Sequence, residues 1–274
     1  MKITSDIETV TPEMAMEWLT AETNLNNRKL KPPVVRKYVR DMSDRNWLFN
    51  GDTIKFDWNG KLLDGQHRLH ALIATNRTTE FNIVRNLDPD AYKSIDIGAR
   101  RTTGDIMQHA GSKYGTSAAA AAKVLHWYES GQKDFTAMQS ISELVAVYGR
   151  HPDLEGHVAR YNNTPAVRKK LRVGAAWPAF TYLVGATFSA ELEEFVAGIS
   201  DGTSLNGLGI GKGDPRHTAR EWFLNRVYRR ASTNDERFCI ITKAWNAFIG
   251  GRSMQSISYR FNEAPPVLIV SRPR

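Results

Sequence analysis

Hydrophobic and polar positions along the chain change their period once, near residue 102. Before that point, alternating runs mix with helical stripes. Thr11-Pro12 can cap and open a helix whose apolar stripe is Met14, Trp18 and Leu19. Asn26, Asn27 and Arg28 interrupt it, and Pro32-Pro33 opens a second helix with Val35, Tyr38, Val39 and Met42 at helical spacing. Thr53–Asp57 alternates like a strand, Asn59-Gly60 signals a two-residue hairpin, and Lys61–Leu63 is the return strand. Asp64-Gly65 then breaks the chain. Gln66–Thr75 reads as a helix, Phe81–Val84 as a strand, Asp88-Pro89 as the start of a short helix or turn, and Ile95–Ile97 as a last short strand.

After residue 102 the period is helical throughout. Thr103–Ala110, Thr116–Ser130, Ser140–Tyr148, Pro152–Tyr161, Ala175–Val184, Ala190–Ile199, Thr218–Ala231 and Asp235–Ile249 all read as helices, with Gly202–Gly213 as a loop. The predicted fold class is α+β: a small mixed-sheet N-terminal domain, residues 1–106, followed by an all-α C-terminal domain, residues 107–274.

Composition narrows the function classes. The 274 residues are ample for a real core, and 41% apolar with 24% charged residues fits an ordinary globular protein. No apolar run approaches the roughly 18 residues of a membrane span, and MKITSDIETV lacks the apolar segment of a secretory signal, so a cytoplasmic protein is expected. One cysteine, Cys239, excludes an intramolecular disulfide and a multi-cysteine zinc site. The net charge is +8, of which residues 1–110 carry +1 and residues 111–274 carry +7. A basic surface suggests a polyanionic partner, most often nucleic acid; the alternative is a charge kept for solubility.

The segment GDTIKFDWNGKLLDGQHRLHA, Gly51–Ala71, is the most informative. A hairpin ends at Leu63, the chain turns at Asp64-Gly65, and a helix starts with Gln66, His67 and Arg68. Backbone N–H groups and the positive dipole end of that helix favour an anion. Gly65, lacking Cβ, would let a phosphate approach the backbone, Arg68 could add a bidentate contact, and His67 could donate to a phosphate or shuttle a proton. The alternative is a capped strand-to-helix turn with solvated polar residues.

DGQHRLHA after an Asn-Gly hairpin resembles the ParB/sulfiredoxin-like superfamily, whose members carry a Gly-x-x-Arg motif at the same strand-to-helix turn. The order of neighbouring features agrees: the loop NNRKL at Asn26–Leu30, the helix Val34–Met42, the strand NGDTIKF, the DGQHR turn and the strand Phe81–Val84. Asp96, Gly98, Arg100, Arg101 and Thr102 fall near the family's second motif. The resemblance covers roughly residues 5–106 and implies a nucleotide-binding fold of a phage or mobile-element protein. It implies that Gly65, Gln66, His67 and Arg68 hold the triphosphate of ATP or CTP, with Arg28, Arg101 and Thr102 reaching it from flanking loops. Asp64 or Asp96 would bind Mg²⁺ or position a hydroxyl nucleophile. Gln66 stands where sulfiredoxins carry their cysteine, which argues against sulfinic-acid reduction.

Other motifs compete less well. His67 and His70 share a helix face but have no further ligand nearby in sequence. The loop Gly207–Gly213 fails the phosphate-loop pattern, because Asn206 and Gly213 stand where a glycine and a Ser/Thr are required. Two basic clusters remain: Arg168, Lys169, Lys170 and Arg172, and then Arg216, Arg220, Arg226, Arg229 and Arg230 along one helix. Both could neutralise DNA phosphates, with Trp222 and Phe223 available to stack on a base. The expected function is a nucleotide-dependent phosphotransferase or NTPase acting on or with DNA, the acceptor being a hydroxyl on a modified base, a small molecule or water. The alternatives are a nucleotide-gated DNA-binding protein and a nuclease.

Overall fold

A computed structural model describes residues 2–24, 29–44, 46–95, 101–137, 139–226, 232–261 and 263–271. The fold is α+β, with a four-stranded mixed sheet in the N-terminal part and helices thereafter. The chain divides into two units: Met1–Arg100 with Ala137–Glu143, and Arg101–Thr136 with Leu144–Arg274.

In the first unit, β1 (Thr4–Val10) pairs antiparallel with β4 (Thr79–Leu87), β2 (Thr53–Asp57) runs parallel to β4, and β3 (Leu62–Asp64) is antiparallel to β2. The sheet order is β1-β4-β2-β3. Period-two alternation places Ile54 and Phe56 of β2 with Phe81 and Ile83 of β4 in the core. Leu69 and Leu72 of α3 (Gln66–Thr75), Met42 of α2 (Pro32–Ser43) and Ala15 of α1 (Pro12–Trp18) complete that core. Thr11 caps α1 through its side chain, and both α1 and α2 carry proline in the first turn, as the sequence predicts.

Strand β1 is not legible in the sequence. Its residues TSDIETV are almost all exposed, and only Val10 is buried, so no alternation marks it. Its pairing with β4, 69 to 81 residues further along the chain, creates it. The hairpin between β2 and β3 forms as predicted. Asp57 is buried at its turn, and its Oδ1 accepts the N–H groups of Asn59 and Lys61, both at 2.8 Å. The pairing then slips between Lys55 and Phe56, so that Lys55 faces Asp64 instead of Leu63. The return strand accordingly runs one residue further than expected. Asp88-Pro89 opens a 3₁₀ turn, Pro89–Lys93. Of the expected strand Ile95–Ile97, Ile95 lies in a turn and the rest falls outside the described residues.

Ala137–Glu143 returns to the first unit. Glu143 accepts from Arg40 of α2, with Nε at 2.6 Å and Nη2 at 3.3 Å. Ser140 hydrogen-bonds Asp41, whose carboxyl lies in the interior and is held above the usual carboxylate range, chiefly by burial.

The second unit contains α4 (Thr103–His109), α5 (Gly115–Ser130), α6 (Ile141–Arg150), which it shares with the first unit, α7 (Leu154–Asn162), α8 (Ala176–Gly185), α9 (Ser189–Asp201), α10 (described over Pro215–Arg226) and α11 (Asn234–Ile249). Its core is aromatic. The Trp245 ring meets Phe180, Phe188 and Phe195 at 5.5, 5.6 and 5.2 Å. The alanine run of α5 buries Ala118, Ala119, Ala121 and Ala122, letting neighbouring helices approach closely. Cys239 is fully buried, and burial pushes its thiol pKa far up. Among the described residues, no helix is long and apolar enough to cross a membrane.

Candidate functional site

The strand-to-helix turn at Gly65 is where the sequence concentrates polar residues, and it is built from β2, β3 and α3. Gly65 caps α3 with φ +112°, a conformation that side chains disfavour, and no side chain caps the helix. A Cβ at this position would lie 2.5 Å from Ile54 Cδ1 and 3.2 Å from its Cγ2. The missing Cβ is therefore required by the packing of α3 against β2. Packing alone thus accounts for a glycine here.

Gln66, His67 and Arg68 are buried, with relative exposures of 4, 6 and 9%. They are not the solvated residues of an open turn. Arg68 Nη2 donates to the Thr53 carbonyl at 2.6 Å and to Asp64 Oδ2 at 3.0 Å, and Nη1 lies 3.4 Å from Asp52. Lys55 Nζ lies 3.5 Å from the same Asp64 oxygen. Asp64 thus sits between two cations, one three residues into the helix and one across the hairpin. His67 Nε2 accepts the N–H of Lys31, the residue that precedes α2, at 3.0 Å. Its proton is therefore on Nδ1, and the imidazole ties the start of α2 to the start of α3.

These contacts revise the roles expected from the sequence. Asp64 Oδ2 is engaged by both Arg68 and Lys55, so any Mg²⁺ or nucleophile-orienting role falls to Oδ1. Arg68 turns its Nη groups to Thr53, Asp64 and Asp52, and its buried Nε has no partner among the described residues. His67 uses Nε2 structurally, which also removes it from a His67–His70 metal pair. Among the described residues, no group of three or more His, Cys, Asp or Glu comes together as a metal site. Thr102 is the N-cap of α4: its hydroxyl and N–H both reach Asp105, at 2.8 and 2.7 Å, in a capping box. Arg101 is exposed and belongs, like Thr102, to the second unit. Arg28 and Asp96 lie outside the described residues.

The two basic clusters differ. Arg168, Lys169, Lys170 and Arg172 are exposed around a π-helical turn, Ala166–Lys170, anchored by buried Val167. Lys169, Lys170 and Arg172 have no carboxylate partner among the described residues. Arg216, by contrast, is 7% exposed and clamped by Asp214 at 2.7 Å and Glu194 at 2.5 Å, with its guanidinium over the Phe248 ring. Arg220 Nη1 donates to the Ile199 and Ser200 carbonyls at the end of α9, at 2.9 and 2.6 Å. Neither belongs to the exposed stripe that the sequence suggests. Phe223 is core, and Trp222 packs half-buried against that core. Arg229 and Arg230 lie outside the described residues, as does the side chain of Arg226.

The loop Gly207–Gly213 also uses its backbone internally. Ser204 and Ile210 N–H groups bond the Leu208 and Gly202 carbonyls, Gly213 bridges Met254, and Glu194 accepts the Leu205 N–H. Sequence reasoning missed Lys55, Asp52, Glu194 and Asp214. The last could have been found, because Asp214-Pro215-Arg216 places an acid two residues from its arginine. Comparison with family models, with curated proteins and with solved structures finds no match.

Proposed function

We propose that the first unit binds a nucleoside triphosphate at the start of α3 and that the second holds DNA. The chain would then be a nucleotide-dependent phosphotransferase or NTPase acting on or with DNA. The observation that carries the reading is the strand–turn–helix at Leu62–Thr75. There a helix with no side-chain cap begins at a glycine, beside Arg68 and Lys55. The exposed cations Lys169, Lys170 and Arg172 supply a surface for phosphate backbones.

In this reading Arg68 and His67 act as positioning residues. Arg68 fixes the turn through Thr53 and Asp64, and His67 fixes α2. The triphosphate would meet the dipole end of α3 and Lys55, whose contact with Asp64 is long enough to exchange. The engagement of Asp64 favours a second reading, in which the nucleotide gates DNA binding with little turnover.

Calorimetric titration with ATP, CTP, GTP and ADP in Mg²⁺ tests binding, and a multiple-turnover phosphate-release assay with and without DNA separates the two readings. Saturable binding with release supports transfer or hydrolysis, whereas binding with DNA protection and no release supports gating. Absence of binding to all four nucleotides rejects both. A bound nucleotide raises stability by about 2.7 kcal/mol at a hundredfold excess over its Kd.

A further inference from the structure

The second unit holds a cavity of about 710 Å³ between α7, α8 and α9, within the size range of small-molecule sites. Its apolar lining comes from Trp177, Leu192 and Val196. His157 joins the wall, with Nδ1 3.0 Å from Thr181 Oγ1 and its ring edge-on to Tyr182 at 5.8 Å. Gly185 makes room for it, since a Cβ there would lie 3.1 Å from His157 Cε1. Burial and Arg160 lower the pKa of His157, which leaves the wall neutral.

The charge of this cavity opposes that of its surroundings. Residues 111–274 carry +7, yet the cavity is lined by Asp153, Glu193 and Asp201 against the single cation Arg160. None of the three carboxylates forms a salt bridge among the described residues, and Asp153 acts only at a distance on His157. All three are exposed at the rim, while Trp177 and Leu192 are buried behind them. An apolar interior under an unneutralised acidic rim is the wrong chemistry for a phosphate. It is the right chemistry for an ammonium group carried on an apolar or aromatic body.

We propose that this cavity is a binding site for a small organic cation, the ring or hydrocarbon part seated on Trp177, Leu192 and Val196 and the ammonium drawn to the acidic rim of Asp153, Glu193 and Asp201. The site is independent of the nucleotide reading and stands or falls separately from it.

The full-length protein is titrated calorimetrically with tryptamine and with 3-indolepropionate, which carry the same ring and opposite charges. Tryptamine binds one to one with a Kd near or below about 1 mM, the range reached by a ligand of about a dozen heavy atoms. The anion binds at least about fivefold more weakly. Glu193→Gln, Asp201→Asn and Asp153→Asn each weaken tryptamine by up to about fivefold, the size of an exposed ion pair, and together they erase the charge preference. Ala186→Trp, at an exposed position on the lining, reduces binding of both probes while circular dichroism shows the fold intact. Equal binding of the two probes, a preference that survives all three neutralisations, or no binding of tryptamine would each overturn the proposal.

Discussion

Replacing Arg68 by alanine separates a structural from a purely ligand-binding role for the turn. The substitution leaves Asp64, itself 8% exposed, with only the longer contact to Lys55. Removing one partner of a buried pair costs about 3–5 kcal/mol, because the remaining charge is left without its counter-ion. The lost bond to the Thr53 carbonyl belongs to the charge-assisted class, worth about 1.5–3 kcal/mol. The two losses share one guanidinium and do not add. The Asp52 contact is weak, since that carboxylate is half exposed. Against these losses, Arg68 Nε is already buried with no partner among the described residues, and its removal returns about 1 kcal/mol. Lys55 offsets a further part. The net expectation is a loss of about 3–4 kcal/mol, or roughly two to three orders of magnitude in hydrogen-exchange protection of the α3 amides. Native-state exchange resolved to α3, run without nucleotide, reads this directly. An Asp64→Asn and Arg68→Ala cycle should show coupling of at least about 2 kcal/mol. If Arg68→Ala changes α3 protection by less than about 1 kcal/mol, Arg68 is not holding the turn and its assignment as a positioning residue is wrong.

Gly65→Ala combines a left-handed φ with a 2.5 Å approach to Ile54 and should cost about 2–4 kcal/mol. Adding Ile54→Val, which deletes the clashing Cδ1, should recover part of that in urea titrations; no recovery would point to the backbone alone. Arg216→Met should destabilise the second unit by about 2–4 kcal/mol through the orphaned Glu194 and Asp214. Lys169→Gln with Lys170→Gln should leave stability unchanged while lowering the salt-dependence slope of DNA binding by about 0.9 per lysine; an unchanged slope removes that surface from the interface. Asp41 has its folded pKa raised, so the folded state binds more protons between the ordinary carboxylate value and the raised one. Stability from this group is full at low pH and falls as pH rises through that window. Asp41→Asn should therefore be the more stable protein at pH 7, with the gap closing on acidification. A gap constant with pH would contradict the assignment.

Local signals make most of the elements legible. Thr11-Pro12, Pro32-Pro33, Asn59-Gly60 and Asp64-Gly65 mark boundaries that depend on caps, fixed φ and turn geometry, and the structure places α3 at the predicted Gln66–Thr75. Two features depend on distant partners and escape. Strand β1 has no apolar alternation because its residues are exposed on both faces, all but half-buried Glu8 and buried Val10, and β4 supplies its order. The slip at Lys55 moves Asp64 into register with a lysine, which counting back from the hairpin turn does not reveal. The candidate site is visible in its residue types and hidden in its bonding. An arginine four residues after an aspartate reads equally as a ligand pair or as an internal salt bridge, and burial decides between them. The same ambiguity applies to Arg216, whose burial follows from packing on Phe248 and not from its helical position.

Ala137–Glu143 makes the first unit discontinuous along the chain. During synthesis, β1–β4 and α1–α3 leave the ribosome well before Ser140 and Glu143 do. Until that segment emerges, Arg40 has yet to meet Glu143 and Asp41 the Ser140 hydroxyl. The N-terminal part of the first unit therefore waits, nearly complete, while two helices of the other unit are translated past it. A fragment ended at residue 106 would be caught permanently at that stage.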